Sequence, residues 1–195
     1  MNNINLKIIL GSIRENRFGD KPAKWIMEHA QKLEGVSVEL LDLRDYQLPM
    51  FSEGISPSHM EGDYGKPDVD RWAKKIAEAD AFAIVTPEYN HGYPSALKNN
   101  IDYLYKEWGK KAVSFISYGG TGGARVIQQL RQVAVELQMA PIRNSVHIFF
   151  PWNLVDEKGE LKPGAFDANE KSAENMLSQL LWWAKALKSA RESDK

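Results

Sequence analysis

Ser12, Arg14 and Arg17, set between Gly11 and Gly19 in the segment GSIRENRFG, have the residue types and spacing of an anion site. They follow the apolar run INLKIIL and precede a helix start, where unpaired backbone N–H groups and the positive end of the helix dipole favour an anion. The dipole supplies only about 0.3–1 kcal/mol, so the forked donors of the arginines must supply much of the grip on phosphate oxygens. Taken alone, the same two arginines could equally face water. Two common phosphate loops are excluded: a Walker A loop needs glycine and lysine where Asn16 and Arg17 stand, and a G-x-G-x-x-G fingerprint needs glycine at Ile13.

Two more loops combine backbone freedom with polar or flat side chains. In TPEYNHGYPSALKNN, Pro87 ends an apolar run, Glu88 to Gly92 form a turn and Pro94 opens the next helix; Tyr89 and Tyr93 offer flat surfaces for a ring. Glu88 and His91 have acid–base chemistry, although on an exposed turn such groups are more often hydrogen-bonded or solvated. In SYGGTGGARV, four glycines within Gly119 to Gly123 let the backbone pass close to a planar ligand and present N–H groups to it. Arg125 stands where a dinucleotide loop would need a small residue for helix packing. No metal-ligand spacing is present, and His91 and His147 are poor ligand candidates.

The elements that must position these loops alternate short apolar runs with longer amphipathic stretches, the pattern of an α/β fold with a parallel sheet. The runs 4–10, 36–43, 81–87, 112–118 and 143–150 predict five strands, several nearly continuous as expected of a sheet covered on both faces. Asp20 with Pro22, Pro67 with Asp68, and Pro94 open three helices; Thr121 is the predicted cap of the fourth. Asp167 and Glu170 have capping-box spacing for the fifth, whose stripe Ala173, Leu177, Leu180, Ala184 and Leu187 is core. Two long irregular stretches, 44–66 and 151–166, read as lids or partner surfaces.

Composition narrows the function classes. Hydrophobic residues make up 43% and charged residues 26%, with a formal net charge of −1, which describes an ordinary globular chain without a basic nucleic-acid surface. The absence of cysteine excludes disulfides, thiolate catalysis and cysteine metal sites. With no signal peptide or spanning segment, the expectation is a single domain over 1–195 in the cytoplasm, with no membrane or nucleic-acid partner.

Together the motifs GS-x-R-x-x-R-x-G, TPEYN-x-x-x-P-x-x-L-K-N and S-Y-G-G-x-x-G-x-R resemble the NADPH-dependent FMN reductase family, which includes quinone, azo and chromate reductases. The resemblance implies a flavodoxin-like, doubly wound five-stranded sheet of order 2-1-3-4-5 with helices on both faces. It implies FMN as cofactor and NADPH or NADH as co-substrate. The FMN phosphate and ribityl chain would meet Gly11, Ser12, Arg14, Arg17, Phe18 and Gly19. The ring would lie between Pro87, Glu88, Tyr89 and Asn90 on one side and Ser117, Tyr118, Gly119 and Gly120 on the other. Many relatives carry a small hydroxyl residue where Arg17 stands, so Arg17 is also a candidate for the phosphate of NADPH.

No side chain is then catalytic: FMN carries the chemistry, passing electrons from the nicotinamide to a small-molecule acceptor by ping-pong kinetics. The family resemblance further implies a homodimer or dimer of dimers, for which the helix Pro94–Tyr105 and Trp108 are candidates for the contact, ordinary core packing of this aromatic cluster being the alternative; in a dimer the 44–66 loop would roof the partner's flavin. The alternative is a flavodoxin-like FMN electron carrier without nicotinamide activity. A T-x-T-G-x-T phosphate loop and a strongly acidic surface would favour it, and neither is present.

Overall fold

A computed structural model describes residues 3–60 and 62–194; Met1, Asn2, Glu61 and Lys195 lie outside the described residues, and with them the extreme ends of the 1–195 domain and one position of the 44–66 loop. In chain order the elements are β1 (Ile4–Leu10), α1 (Asp20–Gln31), β2 (Val36–Asp42), α2 (Pro67–Ala77), β3 (Ala81–Pro87), α3 (Ser95–Asp102), β4 (Ala112–Gly119), α4 (Ala124–Glu136), β5 (Ala140–Pro141), β6 (Val146–Phe149) and α5 (Glu170–Ser193). The strands run β2-β1-β3-β4-β5, all parallel, with β6 also on β4. This is the predicted flavodoxin-like order.

Alternate strand residues feed two cores because successive side chains leave a strand on opposite faces. Ile9, Phe82, Ile84, Val113 and Phe115 pack with Trp72 and Ile76 of α2, Ile101 of α3 and Leu130 of α4. Leu6, Ile8, Ala83, Val85 and Ile116 pack with Ile26 of α1 and Leu177 and Leu180 of α5. Both sheet faces are thus covered, which is why the strands read as continuous apolar runs.

Four local expectations are corrected. The predicted strand 143–150 narrows to β6 (Val146–Phe149), and a separate two-residue strand, β5 (Ala140–Pro141), precedes it; Pro141 has no N–H to donate, and the chain between the two strands bonds to side chains instead. Arg131 binds the carbonyls of Ile142 and Arg143, both at 2.8 Å, and the Asn144 N–H donates to Gln179 at 2.9 Å. Thr121 does not cap α4; left-handed Gly123 does, and the Thr121 side chain instead meets Glu88 and Arg125. Asp167 does not cap α5, since a 3-10 turn over Asp167–Asn169 comes first and Asn169 takes the cap position. The third helix is Ser95–Asp102, shorter than Pro94–Tyr105, and Trp108 is fully buried against Trp72 and Phe82, so its ring belongs to the core.

The long 44–66 segment is pinned to α3 of its own chain. Asn100 donates to Tyr46 O at 2.8 Å, while Asn99 donates to Pro49 O and accepts from the Phe51 N–H, both at 2.8 Å. The L-K-N-N sequence of α3 therefore holds a loop.

At the opposite end of the sheet from the glycine loops, Lys111 is buried, with its ammonium on the carbonyls of Ile76 and Ala77 at 2.7 and 3.0 Å. Burial first, then the Arg191 charge, pulls its pKa down to about 7 from 10.5. Between those values the unfolded chain holds one more proton than the fold, so raising the pH favours the fold. Urea unfolding from pH 7 to 10 should show stability rising by up to about 1.4 kcal/mol per pH unit from this group. Lys111→Met should remove that component; an unchanged slope in the variant would refute the assignment.

Candidate functional site

The carboxyl ends of β1, β3 and β4 converge because these strands are neighbours in register: Leu10 pairs with Val85, and Pro87 with Tyr118. The three loops that follow them enclose a cleft of about 340 Å³ lined by Arg14, Phe18, Glu88, Tyr89, Tyr118 and Gly119 among others. That volume falls in the roughly 300–1,000 Å³ range of small-molecule sites. Among the described residues no cluster of metal-ligating side chains occurs.

Side-chain contacts lock the loops together. The Ser12 hydroxyl, fully buried, is 2.8 Å from the Tyr89 hydroxyl, and the Arg14 guanidinium lies 5.6 Å from the centre of the Tyr89 ring. Glu88 accepts from Arg125 Nε at 2.6 Å and from the Arg125 backbone N–H at 3.1 Å, at the first turn of α4. The serine of the first motif thus meets the tyrosine of the second, and the glutamate of the second meets the arginine of the third. Burial alone would raise the Glu88 pKa, but the hydrogen bond and charge of Arg125 hold it below the usual carboxylate range. An ionised, paired carboxylate has no proton to give.

The two arginines of the first loop have different surroundings. Arg14 is exposed at the cleft. Arg17 is 7% exposed; it donates to Asp20 Oδ1 at 3.0 and 2.6 Å, to Asp42 Oδ1 at 2.7 Å, and also to Asp42 Oδ2 and the Ser12 carbonyl. Burial opposes its charge, yet the two carboxylates raise its pKa overall; in turn, burial would raise the Asp42 pKa, but Arg17 holds it below its ordinary value. Its donors face into the protein, and Asp42 was not among the residues singled out from sequence. The signal was available in the register, since Leu10 and Asp42 end neighbouring strands side by side.

Gly19 precedes Asp20 with an ordinary helical φ, so its lack of a side chain matters for contact: a Cβ there would lie 2.7 Å from the Tyr118 hydroxyl. Phe18 packs edge-on to Tyr118 at 5.3 Å. The Tyr118 side chain therefore points toward the first loop. Its hydroxyl is buried and lacks a hydrogen-bond partner among the described residues, the neighbouring Ser12 hydroxyl being engaged by Tyr89. Burial pushes this phenol upward in pKa, so it stays a donor.

The other turns are shaped by backbone. Asn90 and His91 both have positive φ, 49° and 70°, and Tyr89 and Gly92 exchange two N–H···O bonds of 2.9 Å across them. His91 is exposed on this tight turn, with its carbonyl accepting from Gln129 at 3.0 Å. In the third loop Ser117 donates to Gly122 O at 2.6 Å, and the Gly119 carbonyl accepts from Gly122 and Phe150, both at 3.1 Å. Sequence reasoning also missed Trp152 and Val155, which line the cleft from the 151–166 stretch.

The family described as NADPH-dependent FMN reductase matches residues 4–151. An NAD(P)H-dependent FMN reductase of Schizosaccharomyces pombe is 40% identical over 132 residues, covering 68% of this chain and 66% of that protein, or about two thirds of each. A quinone reductase of Pseudomonas putida is 30% identical over 69% of this chain and 72% of its own. Among solved structures, the FerB flavoenzyme NAD(P)H:(acceptor) oxidoreductase of Paracoccus denitrificans superposes with TM-score 0.72 at 21% identity, covering 94% of this chain and 98% of that one.

Proposed function

Because the chain belongs to the NADPH-dependent FMN reductase family, we propose that its cleft binds FMN and passes electrons from NADPH or NADH to a quinone, flavin or similar small acceptor, each reactant occupying the same place in turn. The observation that carries this reading is the interlock of all three motif loops around one cleft, through Ser12–Tyr89 and Glu88–Arg125. Bound FMN would supply the transfer of two electrons that no side chain here can perform.

The residues fit the group at both ends. Toward the first loop stand an exposed cation, Arg14, the first turn of α1, and the unpartnered hydroxyl of Tyr118. Such a set favours an anionic, oxygen-rich tail. Pro87, Glu88 and Tyr89 line the cleft on the β3 side and Tyr118 and Gly119, at the end of β4, on the other, with Asn90, Ser117 and Gly120 adjoining them in the chain. Gly119 and Gly120 leave room for a flat ring: a Cβ on Gly119 would meet Glu88 at 3.4 Å, and one on Gly120 would meet Trp152 at 3.6 Å. Arg17 holds the first loop in shape through Asp20 and Asp42, while Arg14 meets the phosphate. Assembly as a homodimer or dimer of dimers, in the cytoplasm, belongs to the same proposal. Among the described residues no helix is long and apolar enough to cross a membrane.

The purified protein should be yellow, and anaerobic NADPH should bleach it. Colour without bleaching would favour the carrier reading, and a colourless protein that cannot be reconstituted would end both FMN readings. Glu88→Gln should keep flavin reduction within about tenfold of wild type, because a paired carboxylate is no proton donor. A fall of several orders of magnitude in anaerobic stopped-flow reduction would assign Glu88 to the chemistry.

A further inference from the structure

Trp152 is 60% exposed and lines the cleft, in a stretch just beyond the family match that ends at residue 151. An indole left this open contributes little to folding. Its placement nevertheless depends on a strained backbone: Phe150 sits in the left-handed region at φ 47° and ψ 58°, uncommon for a bulky aromatic residue. Strain of this kind persists only where the surroundings enforce it, and it clusters at functional sites. Here the Phe150 N–H donates to the Gly119 carbonyl at 3.1 Å, and the Asn153 N–H donates to the Phe150 carbonyl at 2.9 Å.

The result is a reversal of the chain directly after β6. The short 3-10 turn Pro151–Asn153 then brings the indole back over the glycine loop, with its Cη2 atom 3.6 Å from where a Cβ on Gly120 would lie. Phe150 supports the indole edge-on at 5.7 Å and 71°. Lys162 ties the next turn by donating from Nζ to the Asn153 carbonyl at 2.9 Å and from its N–H to the Leu154 carbonyl at 3.0 Å. The ring is held firmly and is still uncovered, beside Glu88, Tyr89 and Gly119.

We propose that Trp152 is a specificity-determining wall of the cleft, against which the flat ring of an aromatic electron acceptor lies, so that quinone-type acceptors are taken in preference to compact inorganic ones. The proposal rests on the reading of this cleft as the FMN site. In the reaction the quinone gains two electrons from the reduced cofactor and two protons from cofactor and water, becoming the hydroquinone. Two ferricyanide ions would take one electron each and no proton. Ring stacking helps only the first.

The test uses the FMN-loaded protein reduced with dithionite and mixed in a stopped-flow instrument with 1,4-naphthoquinone or with ferricyanide. Trp152→Ala should raise the half-saturating naphthoquinone concentration about tenfold and leave reoxidation by ferricyanide unchanged; Trp152→Phe should restore most of the loss. Calorimetric titration of the oxidised FMN-loaded protein with anthraquinone-2-sulfonate should show the same weakening without turnover. Equal slowing with both acceptors, a parallel loss of FMN affinity, or dissociation of an oligomer in sedimentation would overturn the proposal by making Trp152 a general support or a contact between copies. If the wild-type protein fails to take up FMN, the functional reading itself falls, before any variant is compared.

Discussion

Arg17→Met is expected to destabilise the protein by about 3 kcal/mol, the low end of the range for breaking one side of a buried ion pair, and to abolish retention of FMN. The guanidinium is shared between Asp20, Asp42 and the Ser12 carbonyl. Its loss leaves two neighbouring carboxylates without their cation and the first loop without its tether. Partial exposure of Asp42, with 23% of its side chain open, places the loss at the low end. Arg17→Lys should not restore the wild type, because an ammonium cannot reproduce a planar fork bridging two carboxylates and a carbonyl. Urea unfolding at pH 7 measures the effect, and a loss below about 1 kcal/mol would refute it.

The same network predicts an acid dependence. Asp42 titrates below its ordinary 3.8 in the fold because Arg17 outweighs its burial. Its contribution is therefore complete above the unfolded value and is lost as the pH falls through the lower folded value. The stability difference between wild type and Arg17→Met should accordingly shrink in that acid window. A difference that stays constant down to pH 2 would show that Asp42 is not the partner that matters.

Gly123→Ala carries the second large effect. Gly123 has φ +69°, and a Cβ there would lie 2.5 Å from Ser117 Cβ and 3.2 Å from the Tyr118 backbone nitrogen. The left-handed backbone adds about 1–2 kcal/mol for a residue with a side chain, and overpacking typically adds about 1–3 kcal/mol. The expected loss is thus about 2–5 kcal/mol, with displacement of Gly119 and Gly120 and weaker FMN binding. Gly35 supplies the control: its φ is +72°, but a Cβ would meet nothing within 4 Å. Gly35→Ala should therefore show only the backbone part, about 1–2 kcal/mol. Equal losses at the two positions would show that the contact with Ser117 plays no role.

The sheet was legible because burial on both faces writes itself as uninterrupted apolar runs, and the prolines at 22, 67 and 94 mark helix starts through their own geometry. The three cleft loops were legible because ligands sit beyond the carboxyl ends of parallel strands. Less could be read where a side chain's partner lies far along the chain. Arg17 reads as a phosphate clamp until the pairing of β1 with β2 brings in Asp42, 25 residues away. Asn99 reads as the last residue of a family motif, whereas its amide, with that of Asn100, holds the 44–66 loop. Thr121 has the right chemistry for a helix cap, but the left-handed turn at Gly122 and Gly123 moves the helix start past it. Trp152 left no periodic signature, because its position depends on a single left-handed residue.

The division of the last strand into pieces of two and four residues also bears on how this chain behaves among copies of itself. An edge strand offers unpaired N–H and C=O groups to any passing chain, and a long regular edge is a template for aggregation. Here that side of the sheet is interrupted by Pro141, by carbonyls already taken by Arg131 and by an N–H already taken by Gln179. The same break therefore leaves only short stretches along this edge to which a neighbouring strand could add, so that growth of sheet on sheet would have to start from β2 at the opposite edge.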